Sequence, residues 1–303
     1  MASIEVARAW GQYSLPSKLE VDILTVEVND EIHSAPMRPS TFIKYPHLLN
    51  YYKDDSHKIT QPKLKDILNA GVNTALTLNY EIIVYSNMDI NVMPHFYAIV
   101  DKVSDCYENY FINRVEIPNR IVKDLTVLNR TSEVTTTIEN VEDIYTDKPI
   151  NLDNIEEGYK YALQFNQLHP GYDCMVTTPT SLEKIISNIG EVFVGHPPVG
   201  SVLAKATKLV DSRCITLRGL SATFHVGSRN GHWNSPEKEL LNDLNGELGK
   251  KSNAMKKKSQ KPCQPYSMMK SRKRKTCFPD IYPDIPLRLK FKLPEDKDIK
   301  IIK

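Results

Sequence analysis

Glu81-Ile-Ile-Val-Tyr-Ser-Asn-Met-Asp89, continuing as Ile90-Asn-Val-Met-Pro-His-Phe-Tyr97, is the stretch on which the fold turns. Ile82, Ile83, Val84 and Tyr85 form a nearly continuous β-branched and aromatic run, the pattern of a strand buried on both faces. The run stops on Asn87-Met88-Asp89 and restarts as a helix. Pro94 suits the first helical turn, where its missing N–H costs nothing, and Phe96, Ile99, Val100 and Val103 recur at helical spacing. A carboxylate at the exit of a buried parallel strand points into the crevice where α/β folds bind ligands. Asp89 therefore reads as a metal or substrate group rather than a packing residue.

Working outward, Leu19 to Val28 reads as a first strand. Pro62 to Leu76 reads as a helix, with Leu64, Ile67, Leu68, Val72, Ala75 and Leu76 on one apolar stripe. Strand 81–86, a helix over 94–104 and a strand Tyr110-Phe-Ile-Asn-Arg-Val-Glu-Ile117, bounded by Pro118, complete a strand–helix–strand rhythm. That rhythm predicts an α/β architecture with a mostly parallel central sheet flanked by helices. The polar stretch 119–168 reads as one or two helices with long loops. Asp173 to Thr177 reads as a strand, Ser181 to Ile189 as a helix with Thr180 as N-cap, Pro198 to Val210 as another helix, and Ile215 to Val226 as extended chain. The domain boundaries expected are an α/β domain over 1–235, a terminal helix in 236–249, a basic low-complexity, disordered segment in 250–275, and a tail 276–303 that adds a strand.

The net charge of +2 hides an asymmetry. Residues 250–275 hold eleven Lys or Arg and no Asp or Glu, which leaves 28 basic against 37 acidic residues in the rest of the chain. An acidic body disfavours nucleic acid as the main partner; nucleic-acid contact would run only through 250–275, where Lys256-Lys-Lys258 and Arg272-Lys-Arg-Lys275 read as a solvated tail or a nuclear-localisation or nucleic-acid arm. Nothing in the chain approaches the roughly 18–20 apolar residues of a membrane span. The first residues show no basic-then-apolar leader, and the five cysteines include no CxxC pair, a usage that fits a reducing compartment and disfavours a zinc framework. These features place the protein in the cytoplasm or nucleus as an expectation.

Four motifs concentrate functional residue types: Ser86-Asn-Met-Asp-Ile90, His169-Pro-Gly-Tyr-Asp-Cys174, Gly195-His-Pro-Pro-Val-Gly200 and Thr223-Phe-His-Val-Gly227. Asp89 is a hard oxygen ligand of the kind Mg²⁺ or Mn²⁺ takes beside substrate phosphates; the alternative is an N-cap for the following helix. His225, at the end of a late apolar strand, is either a ligand completing a Mn²⁺ sphere or a satisfied core histidine. Asp173 follows a tight Pro-Gly turn, as a general base, a sugar-hydroxyl acceptor or an Asx turn. Gly195 to Gly200 is a rigid loop entering a helix whose N-terminus attracts anions, without Walker or GxGxxG spacing. Arg114 within a strand requires a partner, either a diphosphate or carboxylate ligand or a structural ion pair. The absence of a GxSxG elbow disfavours a serine hydrolase.

In order along roughly residues 20 to 235, Ile83-Val-Tyr-Ser-Asn-Met-Asp-Ile90 with Pro94-His-Phe-Tyr97, Ile112-Asn-Arg114, His169 to Cys174, Gly195 to Gly200 and Thr223 to Gly227 resemble a family of glycosyltransferase-like proteins with the GT-A, Rossmann-like nucleotide-diphospho-sugar transferase fold. In GT-A enzymes an Asp-x-Asp triplet binds a divalent ion that bridges the sugar-nucleotide diphosphate. The resemblance implies that role for Asp89, a late histidine ligand at His225, and Mn²⁺ or Mg²⁺ as cofactor. It further implies Asp173 as the catalytic group toward the acceptor, with Asn87, Arg114, His169 and His196 contacting diphosphate or sugar, and a nucleotide sugar and an acceptor as partners. Asn87 stands where the pattern has its first carboxylate, which implies an ion held with less charge. The class-different alternative is an interaction protein that keeps the fold and uses its basic segment to reach nucleic acid or the nucleus.

Overall fold

The computed structural model describes residues 4, 7, 8, 19–28, 42–46, 48, 51–54, 59–87, 90–117, 120–122, 145–149, 171–195, 197–218, 222–226, 236–256 and 262–266. In chain order they form β1 (Leu24–Thr25), β2 (Ile43–Lys44), β3 (Tyr51–Asp54), β4 (Ile59–Pro62), α1 (Leu64–Leu78), β5 (Ile83–Ser86), β6 (Ile90–Val92), α2 (Phe96–Ser104), β7 (Tyr110–Ile112), β8 (Val115–Ile117), β9 (Arg120–Val122), β10 (Tyr145–Pro149), β11 (Cys174–Thr177), α3 (Pro179–Ile189), α4 (Val199–Val210), β12 (Ile215–Leu217), β13 (Thr223–Val226), α5 (Pro236–Lys251), α6 (Asn253–Lys256) and β14 (Gln264–Tyr266).

The α/β expectation holds at the level of mixed helices and sheets. The main sheet has the order β14-β12-β7-β11-β5. Within it β12 is parallel to β7 and β14, whereas β11 is antiparallel to β7 and β5. The sheet is therefore mixed rather than mostly parallel: β5, β7, β12 and β14 share one direction and β11 opposes them. A smaller sheet, β6-β13-β8, pairs β13 antiparallel to β6 and parallel to β8. Among the described residues no helix is long and apolar enough to cross a membrane.

Side-chain alternation builds a core on each face of the main sheet. Tyr110, Ile112, Cys174 and Val176 point to one side and pack with Phe96, Ile99, Val100 and Val103 of α2. Phe111 and Met175 point to the other and meet Leu64, Leu68 and Val72 of α1, Leu182 and Ile185 of α3, and Val202 and Leu203 of α4. Burying each of these large side chains contributes about 1.5–3 kcal/mol. α1 buries Leu64, Leu68, Val72 and Ala75 of the expected stripe, while Ile67 is half-buried and Leu76 is 55% exposed; the helix ends on Asn79 in the left-handed region at φ 61°. The cap of α3 is Thr178 rather than Thr180. Pro179 occupies the first turn, so the Thr178 hydroxyl is the one placed to accept from Ser181 N–H at 3.2 Å.

Several elements differ from the reading of the sequence. β5 is an edge strand, half-buried along its length: Val84 faces the α2 core and Ile83 and Tyr85 the α1 core, but β11 is its partner on one side alone among the described strands. The chain after Asp89 does not enter a helix directly, because Ile90–Val92 first pairs with β13. The run 110–117 is two strands in two sheets, parted at Asn113-Arg114, so Arg114 lies between strands rather than inside one. The segment 250–275, read as disordered, carries α6 and β14, the latter an edge strand of the main sheet. Burial of Ala254 and Cys263 against the α3–α4 core supplies the apolar contacts that the local composition hid. Most of 119–168 and the tail 276–303 fall outside the described residues.

Candidate functional site

Three strands of the main sheet run on into the smaller one. β5 leads to β6 through 87–89, β7 leads to β8 through Asn113-Arg114, and β12 leads to β13 through 218–222. All three leave at their C-terminal ends, the side on which α/β sheets place ligands. Asp173 opens the counter-running β11, and the Asn87 N–H donates to the Asp173 carbonyl at 3.3 Å, extending the β5–β11 ladder to that edge. Asn113 ties the remaining strands together: its N–H donates to the Leu217 carbonyl at 3.0 Å and its Nδ2 to the Gly171 carbonyl at 2.9 Å.

The side chains at this junction form one chain of polar contacts. Asn87 Nδ2 donates to Asp173 Oδ1 at 3.4 Å, a long bond. Asp173 Oδ2 is ion-paired with the Arg114 guanidinium through Nη1. Arg114 Nε donates to Glu116 Oε1 at 2.7 Å, and Glu116 Oε2 lies 2.9 Å from His225 Nδ1. Backbone register accounts for the last link, since His225 stands opposite Glu116 on β8 and opposite Ile90 on β6. The side chains of Arg114, Glu116, Asp173 and His225 retain 12%, 13%, 19% and 20% exposure, enough shielding for charge pairing to count and enough access for a ligand.

Burial pushes the Glu116 carboxyl up, but the hydrogen bond from His225 and the Arg114 guanidinium outweigh it and hold the group below the ordinary carboxylate range. Glu116 is thus ionised at neutral pH. The contact of Nδ1 with the Glu116 carboxylate fixes the orientation of the His225 ring. Asp173 shares its oxygens with Arg114 and Asn87, an arrangement that holds the carboxylate in place.

Of the residues singled out from sequence, Asn87, Arg114, Asp173 and His225 meet at this junction. Asp89, His169 and His196 lie outside the described residues. Of the described residues in the motifs that carry the latter pair, Gly200 adjoins Tyr172: a Cβ added to Gly200 would lie 3.5 Å from Tyr172 Cβ. Among the described residues no group of three or more His, Cys, Asp or Glu side chains is arranged to hold a metal ion. Glu116 is the residue that sequence reasoning missed. Its signal was its spacing from Arg114, since residues two apart on extended chain share a face. His95, quoted in the Pro94 to Tyr97 motif, is elsewhere, 4% exposed at the start of α2, where burial pushes its imidazole down to about 4.

The cysteines also divide unexpectedly. Cys214 and Cys263 form a disulfide across 49 residues, while Cys106 and Cys174 are free. Cysteine usage accordingly no longer argues for a reducing compartment. Comparison of the chain with protein-family models, with curated proteins and with solved structures finds no match.

Proposed function

We propose that this protein transfers a sugar from a nucleotide-sugar donor to an acceptor, on a GT-A-like scaffold and with the help of Mn²⁺ or Mg²⁺. The observation that carries the reading is the meeting of Asn87, Asp173, Arg114 and His225, four residues from separate motifs, at the C-terminal ends of β5, β7 and β12.

The donor set suits a hard divalent ion. Two carboxylates and an imidazole meet around one guanidinium, and oxygen and imidazole donors are those that Mg²⁺ and Mn²⁺ accept. Asp89 and His225 would hold the ion, whose contribution when bound is to neutralise charge on the departing nucleoside diphosphate. Glu116 orients His225. Arg114, spent on Glu116 and Asp173, fixes Asp173 toward an acceptor hydroxyl in place of clamping the diphosphate. His169 and His196 are assigned to donor contacts on their sequence positions alone. The cytoplasm or nucleus remains the proposed location, resting on the basic runs.

The test is thermal unfolding of the full chain with and without Mn²⁺, against UDP-, GDP- and CDP-sugars. A stabilisation by one ion–nucleotide pair that is lost in Asp89→Ala is expected. No shift with any pair would sink the enzyme reading and favour an interaction protein, for which binding to nucleic acid should fall steeply with salt and vanish on deleting 250–275.

A further inference from the structure

Among the described strands the main sheet ends on β14, a strand of three residues held to β12 in the register Ile215 to Gln264, Thr216 to Pro265 and Leu217 to Tyr266. Its central residue, Pro265, has no N–H, so this strand brings at most two amide donors to the ladder. Three residues with one proline give a parallel pairing little hold of their own. Cys214 and Cys263 immediately precede the first register pair, their Cα atoms are 5.2 Å apart, and they are joined as a disulfide. The covalent bond thus sits at the point where the weak strand joins the sheet.

The preceding elements have separate anchors. Asn245 of α5 grips Phe193, accepting from its N–H at 2.8 Å and donating to its carbonyl at 2.8 Å. Ser252 packs against Gly190, which is left-handed at φ +77° and where an added Cβ would come within 3.1 Å of Ser252 Cβ. Ala254 and Met255 of α6 join the α3–α4 core. Losing β14 would leave these contacts in place.

We infer that the Cys214–Cys263 disulfide is a thiol-sensitive latch for β14, closed when oxidised and releasing the strand from the edge of β12 when reduced. The two sulfurs belong to residues only 1% exposed, so attack awaits fraying of the edge strand. A thiolate of an external dithiol reductant then attacks one sulfur and displaces the other cysteine as thiolate. The second thiol of the reductant resolves the mixed disulfide, so that two electrons and two protons pass to the cysteines and the reductant leaves as its own disulfide. Cys174 is not the attacking group, since burial pushes its thiol up to about 12. In sequence Cys263 and β14 lie between Lys256-Lys-Lys258 and Arg272-Lys-Arg-Lys275, so the latch governs where the chain bearing the second basic run leaves the sheet.

Hydrogen exchange read by mass spectrometry on the full chain, oxidised and then reduced with dithiothreitol, tests the latch. Reduction is expected to speed exchange at 264–266 and 215–217 by at least about tenfold, with 110–112, 174–177 and α5 unchanged. The Cys214→Ser, Cys263→Ser double variant should exchange like the reduced protein and ignore the reductant. Three results would overturn the inference: equal exchange in both states, loss of protection across 110–112 and 174–177 as well, which would mark a disulfide required by the whole fold, or free Cys214 and Cys263 thiols in folded, oxidised protein.

Discussion

Replacing Arg114 by Met keeps the length of the side chain and removes the one guanidinium that two carboxylates share. In the wild-type protein Arg114 Nε donates to Glu116 at 2.7 Å and its Nη1 pairs with Asp173, at side-chain exposures of 12% to 19%. Removing one member of a buried ionic set costs about 3–5 kcal/mol because the remaining charge is stranded. Residual solvent access puts this site at the lower end, about 3 kcal/mol. The sign with pH follows from Glu116, whose carboxyl is held below its ordinary value, burial opposing and His225 and Arg114 prevailing. A depressed carboxylate contributes stability that is present above its unfolded-state value and lost as pH falls through the folded one. Without Arg114 that contribution shrinks, so the gap between wild type and Arg114→Met should be full near neutrality and narrow below about pH 4. Urea unfolding at both pH values, with the slope checked for constancy, measures it. Replacing the set together as Arg114→Met, Glu116→Leu, Asp173→Leu removes the stranded charges and should recover most of the loss. A penalty under about 1 kcal/mol for Arg114→Met, the size of an exposed pair, or one that does not shrink in acid, would refute the picture of a shielded network.

His95 should give the fold an acid sensitivity of its own. With its imidazole pushed down to about 4 from an ordinary 6.5, it lowers stability as pH falls from 6.5 toward 4, by about 3 kcal/mol at the lower end. Chemical unfolding of His95→Gln across that range should show a flatter profile, and an unchanged slope would clear His95 of the effect. Asn245→Ala removes both contacts to the buried Phe193 backbone; a loss of about 2–3 kcal/mol is expected, with faster amide exchange at 192–194 as its local mark. Phe111→Ala, at 1% exposure in the α1–α3 core, should cost about 3–5 kcal/mol by urea unfolding; a much smaller loss would mean that the core collapses into the space.

Helices were readable because their signals are local. The stripe through Leu64, Leu68 and Val72 and the run from Phe96 to Val103 each specify a buried face within a few turns. Sheet membership is not local. Nothing in the spacing of Tyr110 to Ile117 states that its halves pair in different sheets, although the polar pair Asn113-Arg114 in an apolar run marks the break. β11 reverses the sheet by entering from a segment whose direction no periodicity encodes. β14 is too short and too proline-bearing to register as a strand, and its disulfide partner stands 49 residues away. Site residues were legible by chemical type, and their side-chain partners were not. Asp173 was read as a general base, a sugar-hydroxyl acceptor or an Asx turn, and its pairing with Arg114 became visible only once β7 and β11 were neighbours.

The position of the charges at the sheet junction has a physical reason apart from any ligand. Where β5, β7 and β12 leave the main sheet, side chains can no longer alternate into the two cores, so polar groups can sit there without interrupting either. An arginine and one carboxylate would suffice to seal such a seam. This seam carries a second carboxylate and an imidazole tied to the first, which seal nothing further and add desolvation cost. The second carboxylate and the imidazole tied to Glu116, more than the triplet Asn87-Met88-Asp89 with its single carboxylate, are what a plain structural ion pair leaves unaccounted for.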